Sequence, residues 1–389
     1  MDNYLSKSTL SKIAAETTPI FVYSMSYVRD RAAALLSQKT PFGMTVRYAV
    51  KANPHREFIA LLHEVGCHFD ASSSYEATEL LAQNIPGNNI SLSSQQPAHN
   101  LSELLNAGVK YVATSLRQLE LFVAHAQPGG TVGLRINPGL GAGHNNRTTT
   151  GGANSSFGLW AAYVPDALKL ALDNSFIIDR LHIHIGSGAD PKTWQAVMQS
   201  ALSIVRDMPD VTQLDIGGGY KIHRFGDEPE TDMTDIITVF SAELEAFANE
   251  TGRHIHLEIE PGTWLVGHAG VLLSSVTDIV DTGKDGHTFL RIDTGMNDIL
   301  RPSMYGAQHK ISILSDSSER ERYVVVGHNC ETGDILTPAS ADPESIEPRL
   351  LNKAEIGDIV AIYDAGAYCA SMSAKGYNSF PSAREVTIE

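Results

Sequence analysis

The strongest constraint on this 389-residue chain is a rhythm. Short strand-like runs recur at 46–50, 67–71, 90–93, 110–114, 131–136, 181–185, 212–216 and 255–259. Between them lie stretches such as Glu57 to His63, Tyr75 to Gln83, Leu116 to His125 and Val164 to Leu172, where apolar residues return at helical spacing. Strand alternating with helix makes parallel βαβ units. Eight such units in about 230 residues fit a (β/α)8 TIM-type barrel better than an open sheet.

The rhythm stops near residue 275. Val276–Val280, Thr288–Ile292, Tyr323–Val326 and Ile359–Tyr363 read as short strands with turns and little helix between them, a mostly antiparallel β domain. Residues 18–24 form another short strand ahead of the barrel, and it is expected to join that sheet. The division is therefore a barrel over 36–275 and a β domain built from 1–35 and 276–389. Such a pair suits a chain well beyond the roughly 100–200 residues of one ordinary domain. Gly141 to Ser156, rich in Gly, Thr and Asn, reads as a loop near the barrel mouth.

Charge and cysteine usage narrow the partners. A net charge of −16 argues against nucleic acid and against an anionic membrane surface. No apolar run approaches the roughly 20 residues a membrane helix needs. The start, MDNYLSKSTL, lacks a signal peptide's basic and apolar regions. Cys67, Cys330 and Cys369 are odd in number and irregularly spaced, so no disulfide framework is expected. A cytoplasmic protein is expected.

In a barrel, the residues ending the strands converge on one face, where barrel enzymes keep their chemistry. Here those residues are Lys51, Asp70, Ser93, Thr114, Arg135, His184, Gly217 and Glu260. Lys51 closes the apolar run Val46 to Val50 and is followed at once by Ala-Asn-Pro. Desolvation there is expected to lower its pKa and free an amine for Schiff-base chemistry. Gly217-Gly218-Gly219 follows the seventh strand, where backbone N–H groups can approach a phosphate. A nucleotide reading is weak without a G-x-x-x-x-G-K-[ST] motif. His182 and His184 share a face by alternation. With His254 and His256 they raise a metal site, but catalytic zinc wants about three convergent ligands. Stacking of a flat imidazole on a planar ring is the better use, with Ser187 free to bind an anion, and no metal is expected. Glu260 lies nearer the mouth than Glu258, on the same face, placed to hold a proton on a ring nitrogen. Lysine, phosphate cradle, stacking ring and carboxylate together describe a site for pyridoxal 5'-phosphate.

The motifs carry a resemblance. Y-A-V-K-A-N (48–53), F-D-A-S-S-x-x-E (69–76), H-I-G-S (184–187), G-G-G (217–219), E-P-G (260–262), R-P-x-x-Y-G-A-x-H (301–309), C-E-T-G-D (330–334) and G-A-Y (366–368) occur in order. The chain resembles the fold type III pyridoxal phosphate enzymes from about residue 18 to its C-terminus. Within them it is most similar to the diaminopimelate decarboxylase branch, which also includes ornithine and arginine decarboxylases. The resemblance implies that Lys51 carries the cofactor, with Asp70 among the cofactor-binding residues. It implies that His184 stacks on the ring and Glu260 pairs with its nitrogen. Ser187, Gly218, Gly219, Gly262 and Tyr368 would hold the phosphate, and Arg301, Tyr305, Glu331 and Tyr368 would meet the substrate. Cys330 would protonate the α-carbon. Cys330 and Glu331 would reach into a partner subunit's barrel, so a homodimer with shared sites is implied. Alanine racemases of this fold put an arginine against the ring nitrogen. A glutamate there favours the stronger electron sink that loss of a carboxylate requires.

Two positions depart from the family pattern. E-P-G-R becomes E-P-G-Thr263, and Phe380 stands where an arginine is usual. Losing a guanidinium from a carboxylate site costs affinity, so either Arg301 or Arg147 compensates or the substrate differs. The expected activity is decarboxylation of meso-diaminopimelate to lysine. The alternatives are a decarboxylase of another diamino acid or of a siderophore or polyamine carboxy-intermediate. From other classes come a non-catalytic cofactor-binding homologue, which would lack Lys51 or Cys330, and a metal-dependent hydrolase.

Overall fold

The computed structural model describes residues 4–139 and 151–389. Contacts divide the chain into two compact units, one of Arg31–Lys221 with Glu230–Gly262, the other of 4–30, Ile222–Pro229 and Thr263–Glu389.

The first unit is a closed parallel barrel. Its strands in chain order are Met44–Ala49, His68–Ala71, Ile90–Leu92, Lys110–Ala113, Thr131–Asn137, Ile177–His182, Gln213–Asp215 and His256–Ile259. Each pairs in parallel with the next, and the eighth pairs with the first. All eight runs expected from the sequence are strands. The sixth begins at Ile177 and ends at His182, so His184 lies in the segment beyond it. Helices over Arg56–Glu64, Ser74–Ala82, Leu116–His125 and Val164–Asp173 follow the apolar periodicity.

Two βα junctions share one device. Ser73 accepts from the Glu76 N–H, and Glu76 Oε2 accepts from the Ser72 N–H. Ser115 accepts from the Gln118 N–H, and Gln118 Oε1 accepts from the Thr114 N–H. These resemble capping boxes, with the N3 side chain reaching one residue further back, to the N–H before the N-cap. The last glutamate of F-D-A-S-S-x-x-E is therefore a helix cap.

The second unit holds an eight-stranded sheet, mostly antiparallel. Ile20–Ser24 pairs antiparallel with Gly270–Asp281 and parallel with Arg384–Ile388. The N-terminal strand thus joins the C-terminal sheet, as expected. Thr288–Ile292 and Ile359–Tyr363 have the expected bounds. The helix Lys7–Ala14, capped by Ser6, covers part of the sheet. Its Leu10 and Ala14 bury with Ile20, Val22, Val271, Leu273 and Ala361.

Candidate active site

The barrel interior is charged, and its order is read off the strands. Register aligns Arg135 with His182, His182 with Asp215, and Asp215 with Glu258. Below the strand ends, Arg47 donates from Nε to Glu258 Oε2 at 3.1 Å and from Nη2 to Oε1 at 2.6 Å. Arg180 donates to Asp215 at 2.7 Å and to the Ser91 hydroxyl at 2.7 Å, and also pairs with Glu258. All five side chains are buried. Burial pushes the Glu258 carboxyl up, but Arg180 and Arg47 outweigh it and hold it at about 2. Two arginines and two carboxylates therefore neutralise one another.

One step nearer the strand ends, the balance shifts. His182, Asp215 and Glu260 each offer a ligand-type atom within 4.8 Å of the others. Burial, then the charges of Asp215 and Asp70, hold the Glu260 carboxyl well above its ordinary range. Burial, then Arg135 and Arg180, hold His182 far below the ordinary imidazole range. Glu260 thus keeps a proton and His182 lacks one. His182 Nε2 stands 3.5 Å from Glu260 Oε2. Neither ring nitrogen of His182 nor Glu260 Oε1 has a hydrogen-bond partner among the described residues. Asp70 is buried and accepts from the Ser93 hydroxyl at 3.0 Å, and Arg135 lies over the Phe157 ring. The four histidines do not converge. His256 is hydrogen-bonded to Thr45 near the start of the first strand, and His254 stacks on Phe42.

The glycine run is set by its neighbours. Asp215 Oδ1 accepts from the Gly217 N–H at 2.8 Å. Gly217 and Gly219 have φ of +72° and +106°, where a side chain is strained. A Cβ on Gly218 would meet the Glu260 carbonyl at 2.1 Å, and one on Gly219 the Gly186 carbonyl at 1.8 Å. The Gly218 N–H donates to His184 Nδ1 at 3.2 Å. That bond leaves the His184 proton on Nε2 and fixes the ring. It also engages the Gly218 N–H with the imidazole, so Gly218 does not offer that donor to a phosphate in this arrangement.

Lys51 sits two residues past its strand, in the single turn Val50–Ala52. Tyr48 donates to the Asn53 carbonyl at 2.8 Å, and Asn53 Oδ1 accepts from the His55 N–H. Ala49 N–H donates to the Pro261 carbonyl, and a Cβ on Gly262 would meet Ala52 Cβ at 2.9 Å. Gly262 therefore lets the eighth strand's loop close on the lysine turn. Lys51 itself is exposed. The expected desolvation does not come from the barrel wall, because the turn carries the side chain beyond the packed strand.

Most of the remaining expected residues lie in the second unit. Arg301 opens the short helix Arg301–Tyr305, which Gly306 ends in a left-handed conformation. Arg301 Nη1 lies 3.1 Å from His309 Nε2, so the first and last residues of R-P-x-x-Y-G-A-x-H meet. The Cys330 N–H donates to Asn378 Oδ1 at 2.7 Å, and Tyr377 donates to Glu331 Oε2. Asp334 accepts from the Asn329 and Met296 N–H groups and organises that loop. Tyr305 lies with its hydroxyl 4.0 Å from the Met372 sulfur. Tyr368 has φ of +57°, an uncommon state for an aromatic residue. Phe380 stacks on His328 with centroids 3.7 Å apart. Ser187 is half-buried beyond the sixth strand. Arg147 and most of the expected loop, 141–150, lie outside the described residues.

Sequence reasoning overlooked Arg47, Arg180 and Asp215. Alternation was the available signal: Arg180 precedes His182 by two, and Asp215 precedes Gly217 by two.

A family model described as "Pyridoxal-dependent decarboxylase, pyridoxal binding domain" matches residues 28–267. The chain belongs to the pyridoxal-dependent decarboxylases. It is 33% identical to a diaminopimelate decarboxylase of Streptomyces coelicolor, over 98% of this chain and 87% of the relative. It is 32% identical to the Escherichia coli K12 diaminopimelate decarboxylase, over 100% and 93%. A crystal structure of a diaminopimelate decarboxylase superposes with a TM-score of 0.90 at 31% identity, covering 99% of this chain and 92% of that one. The Helicobacter pylori enzyme complexed with L-lysine gives 0.85 at 25% identity, covering 97% and 93%.

The residues present fit the decarboxylase cofactor. Gly217 to Gly219 carry no side chain to cover the backbone N–H groups that follow the seventh strand. A buried carboxyl holds its proton and has one oxygen without a partner among the described residues. A primary amine stands at the end of the first strand.

Proposed function

We propose that this chain is a pyridoxal phosphate-dependent decarboxylase that converts meso-diaminopimelate to L-lysine and carbon dioxide. The observation that carries the reading is the closure of one barrel. Closure brings Lys51, His184, the glycine run and Glu260 to the same ends of neighbouring strands. Relatives about 30% identical over nearly the whole chain, named for that activity, support the substrate.

The cofactor supplies the electron sink that takes up the electron pair when the bond from the α-carbon to the carboxylate breaks. Lys51 Nζ is the anchoring amine. Glu260 holds a proton at the ring nitrogen, and its raised pKa keeps that proton available. His184, neutral and fixed by Gly218, presents a flat face for stacking. Ser187, Gly219, Gly262 and Tyr368 are assigned to the phosphate, while Gly218, expected beside them, instead holds the His184 ring through its N–H. The charge of Asp70 adds to burial and to the charge of Asp215 in keeping Glu260 protonated. Arg301, Tyr305, Glu331 and Tyr368 are assigned to the substrate. Cys330 donates the proton that replaces the departing carboxylate on the α-carbon.

The working form is a homodimer with shared sites, located in the cytoplasm. No helix among the described residues is long and apolar enough to cross a membrane.

The test is carbon dioxide release from a panel of meso-diaminopimelate, D- and L-lysine, ornithine, arginine and carboxylated polyamine precursors. Release from meso-diaminopimelate, lost in Lys51→Ala, is the expected result. Release only from another diamino acid would contradict the substrate and would give Thr263 and Phe380 the meaning of a changed specificity.

A further inference from the structure

Three side chains of one C-terminal segment grip three residues around Cys330. Phe380 stacks on His328 with centroids 3.7 Å apart and planes within 8° of parallel. Asn378 Oδ1 accepts the Cys330 N–H at 2.7 Å. Tyr377 donates to Glu331 Oε2 at 3.3 Å. The pairs follow one another in opposite order along the two segments. Both segments are also tied to the stretch between Thr294 and Asp298. Asn297 Oδ1 lies 2.8 Å from His328 Nε2 and accepts from Asn329 Nδ2 at 2.9 Å. The Ala374 N–H donates to the Met296 carbonyl, and the Ala383 N–H to Asp298 Oδ1.

The clamp holds an uncommon backbone. Gly376, Asn378 and Ser379 have φ of +79°, +50° and +64°. Asparagine enters this left-handed region more readily than most residues; serine does so rarely. Two such residues in succession persist only where their surroundings fix them, and they cluster at functional sites. Here the turn presents Asn378 Oδ1 to the Cys330 N–H. Cys330 is exposed, so packing does little to place it. Its backbone is placed instead, by Asn378 on one side and by the Glu331 N–H donating to the Asn329 carbonyl at 2.8 Å on the other.

We infer that Asn378 is a positioning residue: its Oδ1 fixes the Cys330 backbone and so the place from which Sγ delivers the proton. The inference rests on the reading of Cys330 as the proton donor; the bond itself does not. A donor has to stand within hydrogen-bond reach of the atom it protonates, and a misplacement of about 1 Å costs roughly 10²-fold.

The test uses the cofactor-loaded protein and its Asn378→Gly and Asn378→Asp variants, each also combined with Cys330→Ala. Glycine accepts the left-handed backbone and removes the acceptor. Aspartate tolerates the same backbone and keeps an acceptor oxygen. Hydrogen exchange at the Cys330 amide, read by mass spectrometry, reports the bond. Product formation from meso-diaminopimelate reports the chemistry, and melting temperature reports the fold.

Asn378→Gly should speed that exchange about 10-fold. It should lower kcat about 10- to 100-fold while KM stays within about threefold. Asn378→Asp should bring both back to within about threefold of wild type. Once Cys330 is alanine, Asn378→Gly should change kcat less than about twofold, because no donor is left to misplace. An unchanged kcat in Asn378→Gly, or the same loss with and without Cys330, would overturn the inference. If Cys330→Ala alone keeps wild-type kcat, the reading of Cys330 falls, and the exchange result still decides whether Asn378 holds that backbone. A wild type silent on meso-diaminopimelate moves the kinetic arm to whichever amino acid of the panel releases carbon dioxide.

Discussion

Asp215 and Glu260 place carboxyl oxygens within 4.8 Å of each other in the buried barrel. Arg180 satisfies Asp215 at 2.7 Å, so the negative charge settles there and the proton settles on Glu260. Like charges at that spacing do not both ionise in a low dielectric. The second-nearest layer thus sets the protonation of the group assigned to the ring nitrogen.

Glu260→Gln should keep the fold and lose the chemistry. The amide fills the same space but cannot pass a proton to the ring nitrogen. A fall in kcat of roughly 10²-fold or more is expected from the usual worth of a positioned proton donor, with cofactor still bound. Steady-state kinetics beside cofactor absorbance would check it; a kcat within threefold of wild type would remove Glu260 from this role.

Glu258→Gln should destabilise the barrel. It leaves Arg47 and Arg180 buried with Asp215 as the one remaining carboxylate of that cluster. Breaking a buried pair costs about 3–5 kcal/mol, to be read from urea unfolding of the wild type and variant at pH 7. A loss below about 1 kcal/mol would mean that water reaches the arginines.

The same carboxylate sets an acid limb. Its folded pKa of about 2 lies below the ordinary unfolded value of about 4.3. Its contribution is therefore complete above the unfolded value and lost as pH falls toward 2. Thermal melts between pH 6 and 3 should show wild-type stability falling more steeply than that of Glu258→Gln. Parallel curves would contradict the assignment.

Shared sites predict complementation. Lys51→Ala and Cys330→Ala homodimers should each be nearly inactive. If a site takes its lysine from one protomer and its cysteine from the other, a mixed dimer holds one intact site. Random reassortment then restores about a quarter of wild-type activity. Activity that stays absent after verified subunit exchange would place both residues in one protomer's site.

The barrel was legible because short strand-like runs alternate with stretches of helical periodicity. Thr288–Ile292 and Ile359–Tyr363 were legible for the same local reason. Arg384–Ile388 was not: its sequence is polar, and its partner Ile20–Ser24 lies at the other end of the chain. Lys51, His184 and Glu260 were legible as strand-end residues. Arg47 and Arg180 were hidden because a charged residue within a strand reads as solvent-facing unless its partners on other strands are known.

The most direct test of the account is the position of the cofactor on the chain. The loaded protein would be reduced with borohydride, digested and analysed by mass spectrometry. A phosphopyridoxyl group on Lys51, and on no lysine of the Lys51→Ala variant, is the predicted result. The group on another lysine, or on none, would contradict it.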